Sequence, residues 1–508
     1  MQKQRIFLTG ATGNMGFCCL QELLKDGNRQ DIVLLVLDTP TDRKKLKPFE
    51  SHPALTIHWG DLTHYDDVYE CMEGVDIVLH TAALVSPAAD YHPDLSMKIN
   101  YGSMKNILRS IKAQRREDTV KVVSIGTIAE MGDRMPPIHW GRIGDPVKPS
   151  IFDYYAVSKV AAERALVESG LKYWVSLRQT GILGKAMGRI QDAIIFHNCL
   201  DNVLEYISDR DSGILLKNLC KAEQEESLPL KFWGHIYNIG GGESCRIDTY
   251  SLYAQIYREL GFKDLSYIVN PKWFATRNFH GQFYLDSDTL EQFLHFRHDS
   301  IQYFYREILK DLGKTADLIR FICSLPGGQR LMGNLIKRRF LKLARGEHGT
   351  VRFLEQSMEE HIDAYWGSRK QWENIPKDLG KIEHFQSYEV VVSLDHGFDE
   401  TKNENELDIQ DLCQAAEFRG GKCLSVSMTK GDWTTKLRFS CAFNHEFEAS
   451  PRLVLEGGHW CPHCERKSWN YAARAKVDPF FAQVWDPLHD MSETEREYPK
   501  IVSDLDIE

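Results

Sequence analysis

The chain has 508 residues, more than one hydrophobic core usually supports, so we expect two or three domains. Its 43% apolar and 26% charged residues are typical of a soluble globular protein, and a net charge of −10 argues against nucleic-acid binding by the molecule as a whole. Twelve cysteines predict no disulfide framework, no apolar leader precedes the first strand, and no run of about 18 apolar residues predicts a membrane span. We therefore expect a cytoplasmic protein.

The first predicted element is a strand, Ile6–Leu8, followed by a glycine-rich turn and an apolar segment compatible with a helix. Glycines spaced three apart let the backbone turn sharply and approach a pyrophosphate, and the helix N-terminus favours its negative charge. The turn therefore predicts a dinucleotide site. Its candidate cofactor-binding residues are Gly10, Thr12, Gly13, Asn14 and Met15.

The second predicted strand, residues 31–37, ends at Asp38. This is about the interval at which a dinucleotide-binding unit places an acid on the adenosine ribose. The Asp38 carboxylate would accept hydrogen bonds from both ribose hydroxyls and repel a 2′-phosphate, which favours NAD. NADP stays open as the alternative because Arg43, Lys44 and Lys45 lie nearby, although these cations also fit a solvated loop.

Further apolar, β-branched runs, up to a strand at residues 121–127, alternate with helical stretches. This alternation predicts an α/β fold with a doubly wound parallel sheet of the Rossmann type, covered on both faces. Ligands of such sheets bind beyond the carboxyl ends of the strands, so the end of the 121–127 strand should open on the cofactor cleft.

Tyr155 and Lys159 are four residues apart in a predicted helix, so the phenol and the ammonium lie on one face. The nearby cation is expected to lower the pKa of the phenol. A tyrosine tuned in this way can exchange a proton with a substrate hydroxyl while a nicotinamide takes or gives the hydride. The pair becomes informative because it follows a dinucleotide-type half-domain.

With these motifs the first 300 residues resemble the extended short-chain dehydrogenase/reductase family, the NAD-dependent epimerase/dehydratase group. The stretches that carry the resemblance are the glycine turn, residues 60–62, residues 80–83, Asn100, Thr127 before Gly132, Tyr155 with Lys159, residues 177–184 and residues 237–242.

The resemblance implies roles for the matching positions. Asp61, with Leu62, would contact the adenine, and Ala82 and Ala83 would line the nicotinamide side. Asn100, which this family usually uses structurally, is held as a looser cofactor-site residue.

The same resemblance makes Tyr155 the general acid/base, lets Lys159 hold the nicotinamide ribose, and assigns Thr127, rather than Ser124, to orient the substrate oxygen. Members of the family often dimerise through the helices that include the tyrosine, so a homodimer is expected by analogy. Many nucleotide-sugar members carry Asn-Pro before the tyrosine helix. This chain has Phe152-Asp153-Tyr154, which weakens the sugar interpretation.

The substrate-facing residues should come from the loop after Ala83 and from residues 180–300. Aromatic residues are frequent at 194–197, 231–233 and 271–280, where they could form either pocket walls or the core of the lobe. No basic cluster suited to a diphosphate stands out, so we expect an apolar or aromatic alcohol or ketone as substrate.

Residues 301–394 are predicted to be helical, with Phe304, Ile308 and Leu312 at four-residue spacing. Between Arg330 and Arg345 six cations occur without an acid, interleaved with leucines. This amphipathic pattern fits a solvated face with a core stripe, or alternatively an anionic membrane surface or a partner. Residues 395–411 are acidic and predict a linker.

Residues 412–508 are expected to form a small α+β zinc-binding module with an acidic tail. Cys461 and Cys464 form a knuckle, and Cys441 with His445 supplies a second pair, which together give four ligands for tetrahedral zinc. A closed site of this kind is structural. The segment resembles zinc-ribbon modules, with Cys423 and His463 as reserve ligands and free core cysteines as the alternative.

The sequence thus predicts an extended short-chain dehydrogenase domain over residues 1–300, with a Rossmann core to about 180 and a substrate lobe beyond it. The favoured function is an NAD(H)-dependent oxidoreductase that interconverts a secondary alcohol and a ketone. Two alternatives stay open, a nucleotide-sugar epimerase or dehydratase that keeps its NAD bound, and an NAD-binding scaffold or redox sensor.

Overall fold

The computed structural model describes residues 3–25, 30–184, 191–377, 379, 388–466, 469–490, 492–493 and 495–499. The predicted acidic tail beyond residue 499 lies outside these residues.

The strands of the described residues follow the predicted alternation with helices along the first 300 residues. In chain order they are β1 (Gln4–Thr9), β2 (Gln30–Val36), β3 (Leu55–Trp59), β4 (Ile77–His80), β5 (Lys121–Thr127), β6 (Trp140–Gly141), β7 (Tyr173–Gln179), β8 (Ile182–Leu183), β9 (Val203–Glu205), β10 (Ile207–Ser208), β11 (His235–Ile239), β12 (Arg246–Asp248), β13 (Phe283–Tyr284), β14 (Lys422–Cys423), β15 (Leu437–Ser440) and β16 (Glu446–Ala449).

The α-helices of the same residues are concentrated between the strands and then in residues 301–374. They are α1 (Asn14–Lys25), α2 (Pro40–Leu46), α3 (Tyr65–Cys71), α4 (Ala88–Tyr91), α5 (Pro93–Ser96), α6 (Gly102–Ala113), α7 (Tyr154–Val167), α8 (Asp209–Gln224), α9 (Thr249–Glu259), α10 (Asp288–Leu294), α11 (Ile301–Leu312), α12 (Lys314–Ser324), α13 (Gly328–Ala344), α14 (Thr350–Glu355), α15 (Glu359–Trp366), α16 (Arg369–Asn374), α17 (Ile409–Phe418), α18 (Pro462–Arg466), α19 (Tyr471–Ala475) and α20 (Pro479–Trp485).

The central sheet has the strand order β11-β7-β5-β4-β1-β2-β3, and all its neighbouring strands are parallel. The predicted Rossmann-type α/β fold is therefore confirmed. From β1 the chain continues to β2 and β3 on one side, whereas β4 lies on the other side of β1. In doubly wound sheets a ligand binds where the strand order reverses. That point lies between the ends of β1 and β4.

Alternate residues of the sheet pack into two separate hydrophobic cores, because successive side chains in a strand point to opposite faces. In β1, Ile6 and Leu8 pack with α1 and α8, whereas Phe7 packs with α3, α6 and α7. The second core does not end with the first domain. It continues without a break into buried residues of the C-terminal region, among them Phe439 and Trp460.

The C-terminal region contains a small antiparallel sheet, β14-β15-β16. The predicted acidic linker, residues 395–411, stays a prediction, and the structure shows two points at which this segment contacts the first domain. His396 is buried with its Nε2 3.0 Å from a carboxylate oxygen of Asp145, and Arg142 donates to both carboxylate oxygens of Glu400 at 2.7 Å. Residues 399–406 are otherwise exposed.

Residues 301–374 form the predicted helices, and Phe304 and Ile308 are buried as their spacing indicates. Helices α12 and α13 pack against each other and are joined by a short turn at residues 325–327. Among the described helices, none combines the length and the apolar character needed to cross a membrane.

Candidate cofactor and catalytic site

The glycine turn follows β1 and is pressed against the residues that follow β4. Gly10 has a left-handed backbone, with φ of 68°, and a Cβ atom there would lie 2.6 Å from the Ala82 nitrogen. At Gly16 a Cβ atom would lie 2.3 Å from the Gly10 oxygen, to which Gly13 N–H donates at 2.9 Å. No side chain fits at Gly10 or Gly16, whereas Gly13 and Asn14 are exposed at the start of α1. The turn thus offers a backbone surface of the kind that accepts a pyrophosphate.

A buried histidine fixes this turn relative to β4. The His80 ring lies 2.9 Å from Thr9 Oγ1 through Nδ1 and 3.2 Å from Ser103 Oγ through Nε2. Burial lowers the pKa of His80 to about 3, so the ring is neutral and acts as a structural link. Thr81 Oγ1 donates to Thr9 O at 2.7 Å, which ties the ends of both strands together next to Ala82 and Ala83.

Asp38 lies just after β2, exposed, where the prediction requires it. Its two carboxylate oxygens accept hydrogen bonds from Arg43, whose guanidinium also lies 4.3 Å from the centre of the Trp59 ring. The bond from Arg43 lowers the pKa of Asp38. Lys45 donates to Thr12 O at 2.8 Å. Two of the three cations predicted to bear on the NAD or NADP choice are therefore engaged with the predicted cofactor residues themselves.

Asp61 and Leu62 follow β3 at the same edge of the sheet. Asp61 N–H donates to Asp67 at 2.8 Å, and Asp61 Oδ1 accepts from Thr63 N–H at 2.8 Å. Asn100 has a different kind of environment. Its Oδ1 accepts from Leu84 N–H at 2.7 Å, and its Nδ2 donates to Leu84 O at 2.9 Å, so this side chain holds the loop after β4.

The three predicted catalytic residues are brought together at the end of β5. Thr127 is the last residue of that strand, where its Oγ1 accepts from Ala129 N–H at 3.2 Å and its own N–H donates to Glu130 Oε1 at 2.9 Å. The Tyr155 hydroxyl is hydrogen bonded to Thr127. Ser124, by contrast, is buried within β5, in agreement with its assignment as a strand residue.

The predicted lowering of the Tyr155 pKa is wrong for this structure. Burial raises the pKa of Tyr155, and the hydrogen bond with Thr127 only partly offsets that increase. Lys159 lies one turn further along α7, where its ammonium donates to Ile125 O. Burial lowers the pKa of Lys159, while the carboxylates of Glu130 and Glu163 act in the opposite direction.

Lys159 stands at the edge of a buried network of charges that the sequence did not predict. Glu163 accepts from Arg178 Nη2 at 2.5 Å and from Ser176 Oγ at 2.6 Å, and the Nε2 atom of His459 lies 3.0 Å from its Oε1. Glu130 lies 3.4 Å from Arg178 on the other side. Burial alone would raise the pKa of Glu163, but Arg178 and His459 hold it far below its ordinary value.

Burial, followed by the charge of Glu163, raises the pKa of the partner carboxyl Glu130 to about 8. A sequence signal for this network existed in part. Arg178 is a lone charge in a strand of otherwise uncharged residues, and Glu163 is four residues from Lys159 on one helix face. A buried arginine requires a carboxylate partner.

A partly open cavity of about 340 Å³ lies where the substrate-facing residues were predicted, between the loop after β4, the start of α7 and residues 192–197 and 278–280. Its described lining contains no lysine or arginine. The carboxyl-bearing and aromatic side chains that line it are Asp90, Asp153, Asp192, Glu360, Tyr91, Phe152, Tyr154, Phe279, Phe353 and Tyr365. Of the other predicted aromatics, Phe196, Phe274, Phe232 and Trp233 are buried core residues instead.

A second cluster is formed by Cys441, His445, Cys461 and Cys464, whose potential ligand atoms all lie within 4.8 Å of one another. The His445 Nδ1 atom is 3.4 Å from two sulfurs and 3.6 Å from the third, and the Cys441 and Cys464 sulfurs are 3.8 Å apart. A tetrahedral zinc with ordinary bond lengths requires edges of about 3.8 Å between two sulfurs and about 3.6 Å between sulfur and nitrogen.

Helix α7 connects the charge network around Glu163 with the cluster of Cys441, His445, Cys461 and Cys464. Arg164 donates to Trp460 O at 2.7 Å and to Glu465 at 2.9 Å, and Glu168 accepts from Ser450 N–H at 3.0 Å. With the contact between His459 and Glu163, these bonds pack the C-terminal region of the same chain against α7. The homodimer expected by analogy stays a prediction.

A parallel sheet with a glycine turn at its switch point and a tyrosine, lysine and threonine at the next strand end is typical of the short-chain dehydrogenase/reductase class. Residues 6–205 match the model of the NAD dependent epimerase/dehydratase family. The match covers the amino-terminal part of the chain, which is similar to this family over these residues.

Two curated relatives differ in chemistry. A UDP-glucose 4-epimerase from Rickettsia conorii is 29% identical over 125 residues, 24% of this chain and 36% of that protein. A 3-beta-hydroxysteroid dehydrogenase from Mycolicibacterium neoaurum is 25% identical over 209 residues, 39% of this chain and 52% of that protein. The chain thus spans only about one third to one half of the length of these relatives.

The solved structure of DesIV, a dTDP-glucose 4,6-dehydratase from Streptomyces venezuelae with NAD and TYD bound, is similar with a TM-score of 0.50 and 19% identity. The similarity covers 61% of this chain and 98% of that chain. At this identity the comparison supports the fold and carries no statement about substrate.

Proposed function

We propose that the chain is an NAD(H)-dependent oxidoreductase that interconverts a secondary alcohol and a ketone. The observation that carries the proposal is the proximity of Thr127 and Tyr155, which stand with Lys159 at the carboxyl end of β5. This is the edge of the sheet at which the glycine turn also lies. A proton-transferring group and a nucleotide-binding turn on one edge are what hydride transfer at a carbinol carbon requires.

The residues present fit the dinucleotide. Gly10, Gly13 and Asn14 would hold its pyrophosphate at the start of α1, and Asp38 would bind the adenosine ribose, which favours NAD over NADP. When bound, the nicotinamide supplies the acceptor or donor of the hydride. The pairing of Asp38 with Arg43 keeps a cation close to the ribose position, so the preference for NAD is expected to be moderate in size.

Tyr155 holds the proton. Because burial raises its pKa, the phenol is protonated at neutral pH, and its O–H can donate to a carbonyl oxygen that also contacts the Thr127 hydroxyl. The Tyr155 oxygen then carries the charge, which the ammonium of Lys159 stabilises from one turn away. In the oxidative direction the same oxygen accepts the proton of the substrate hydroxyl.

The cavity beside the start of α7 supports an apolar or aromatic substrate. Aromatic rings form much of its wall, and carboxylates supply its charges. Burial lowers the pKa values of His197 and His361 to about 4, so these two lining histidines are neutral near pH 7. A diphosphate would meet acidic groups without a lysine or arginine partner in the described lining, which is unfavourable.

The test compares Tyr155→Phe with Tyr305→Phe as matched control, because the Tyr305 hydroxyl is buried without a hydrogen-bond partner among the described residues and Tyr305 does not line the cavity. With a panel of aromatic secondary alcohols and NAD, Tyr155→Phe should lose at least about 100-fold in turnover while NADH binding is retained. Tyr305→Phe should keep the activity. Full turnover by Tyr155→Phe would refute the assignment.

A second function, a nucleotide-sugar epimerase or dehydratase, is favoured by the family match and by the Rickettsia relative. Such an enzyme uses its NAD transiently. In the same experiment it would retain NAD through gel filtration and release no net NADH with any alcohol, and it would convert a nucleotide sugar instead.

We further infer that Cys441, His445, Cys461 and Cys464 bind a structural zinc ion. The three separations from His445 Nδ1 and the separation of the Cys441 and Cys464 sulfurs are close to the edges of a zinc tetrahedron, and four protein ligands leave no open position for a substrate or water. Within the described residues the reserve ligands Cys423 and His463 stand outside this cluster and are not needed to complete it.

A further inference from the structure

Helices α12 and α13 expose large apolar side chains that the rest of the described chain does not cover. On α12 and the turn after it, Leu318, Phe321 and Leu325 follow helical spacing on one face, and Phe321 is 63% exposed. On α13, Leu331 and Leu335 are likewise exposed. Leu325 belongs to the connection at residues 325–327, and Phe321 and Leu331 lie about one helical turn before and after it. These five residues are termed the hairpin patch. Contiguous exposed apolar surface of this kind marks an interaction site.

The exposure of the hairpin patch is not caused by loose packing of α13. Gly333 packs so closely that a Cβ atom there would lie 2.6 Å from Tyr267 O, and Lys337 donates to Ser266 O at 3.2 Å. Other apolar residues of α13, including Met332, Ile336 and Phe340, pack against the core beneath. The helix therefore has a filled inner stripe and a separate outer stripe. The prediction of a solvated face with a core stripe accounts for only the inner one.

The outer stripe carries positive charge next to its leucines. Leu331, Leu335, Arg338 and Lys342 follow one another at spacings of four, three and four residues, so they share one face of α13. All four are exposed, and no carboxylate of the described residues lies within ion-pair distance of Arg338 or Lys342. The whole chain carries a net charge of −10, whereas α13 contains no acid.

We propose that the hairpin patch docks the protein on an anionic lipid bilayer. Interfacial helices insert leucine and phenylalanine side chains at the headgroup level while flanking lysines and arginines contact anionic lipids. Positive charge alone stands beside the leucines of α13, and Asp317, the one acid of α12, is paired with Arg320 at 3.2 Å. This pattern favours a bilayer, because a protein partner would also have to supply a shaped pocket for each leucine. The acidic remainder of the molecule is repelled by the same surface, which orients the protein with the hairpin toward the lipid.

The experiment is flotation of the full-length protein with vesicles of phosphatidylcholine alone and of phosphatidylcholine with about one third phosphatidylserine. Binding is expected only to the anionic vesicles and should weaken as salt is raised, because ions screen exposed charges beyond about 10 Å at 0.1 M. Each cation near such a surface contributes roughly five-fold in affinity, so Arg338→Glu with Lys342→Glu should reduce binding by at least about 30-fold.

Phe321→Ser with Leu325→Ser should abolish binding without altering the circular dichroism spectrum, because both side chains are exposed. The matched control is Leu230→Ser with Lys231→Glu, an exposed leucine and lysine elsewhere on the surface, where Leu230 is 76% exposed. This control should bind like the unmodified chain.

Failure of the unmodified chain to float with anionic vesicles would overturn the proposal. Equal binding by the hairpin variants and the control would also overturn it. A dimer that Phe321→Ser with Leu325→Ser dissociates, in the absence of vesicle binding, would assign the patch to a second copy of the chain instead. None of these readouts depends on hydride transfer, so they stand or fall independently of the proposed activity.

Discussion

Replacement of Glu163 by Gln tests whether the buried network behind Lys159 supports the whole fold. Glutamine keeps the size of the side chain but removes the charge and presents an amide N–H₂ group to donors. Arg178 donates to Glu163 through Nε at 3.2 Å and Nη2 at 2.5 Å, and Ser176 donates at 2.6 Å. Removal of one partner from a buried ion pair costs about 3 to 5 kcal/mol when the other charge is left buried without compensation. Because Glu130 lies 3.4 Å from Arg178 and compensates part of its charge, we expect a loss at the lower end, about 3 kcal/mol.

A loss of this size is a large part of the about 5 to 15 kcal/mol that stabilises a typical domain. It should appear in urea denaturation followed by tryptophan fluorescence. The matched control is Glu446→Gln, which breaks a pair with Arg438 in which both side chains are more than half exposed. An exposed pair contributes about 0 to 1 kcal/mol.

The pH dependence of stability gives a second measurement. The folded pKa of Glu163 lies far below the unfolded value of 4.5, so its contribution is fully present above pH 4.5 and is lost as pH falls toward the folded pKa. The unmodified chain should therefore lose stability below pH 4.5 more steeply than Glu163→Gln. Equal slopes, or a loss no larger than that of Glu446→Gln, would refute the reasoning.

Two further predictions concern the metal cluster and Glu130. The purified chain should contain one zinc ion, Cys461→Ser should lose the metal and lower the melting temperature, and His463→Ala should leave the zinc content unchanged in elemental analysis; full zinc content in Cys461→Ser would contradict the assigned ligand set. Because the folded pKa of Glu130, about 8, is above its unfolded value of 4.5, its contribution is present below pH 4.5 and is lost as pH rises toward 8. Glu130→Gln should flatten that decline in denaturation midpoints, and an unchanged decline would show that another group is responsible.

The parts of this molecule that the sequence predicted well are those with local signatures. Continuous apolar runs alternating with helices led to the parallel sheet, because strands buried on both faces show that pattern. The glycine turn could also be predicted, because the spacing of Gly10, Gly13 and Gly16 reflects contacts within a few residues and with one adjacent strand. The clustering of Cys441 and Cys461 was likewise predicted from short spacings, and their role as zinc ligands stays a prediction.

What could not be predicted depends on contacts between distant segments. The raised pKa of Tyr155 follows from its burial, whereas the spacing to Lys159 indicated only a nearby cation. Glu163 also contacts His459, which lies 296 residues further along the chain. Nothing in the sequence next to either residue indicates this contact. The acidic segment at 395–411 resembled a linker because composition does not reveal that Glu400 pairs with Arg142.

These long-range contacts change how the structural role of the C-terminal region is interpreted. A metal-binding module attached by a linker would have its own core and could be lost without consequence for a catalytic site. Here the hydrophobic core beneath α7 is shared, and His459, two residues before the predicted ligand Cys461, contacts the carboxylate that faces Lys159. Residues 450–465 pack against α7 through Arg164, Glu168 and Glu163. The chain therefore supplies from its own C-terminus the packing and the charges that fix α7, and with it the positions of Tyr155 and Lys159.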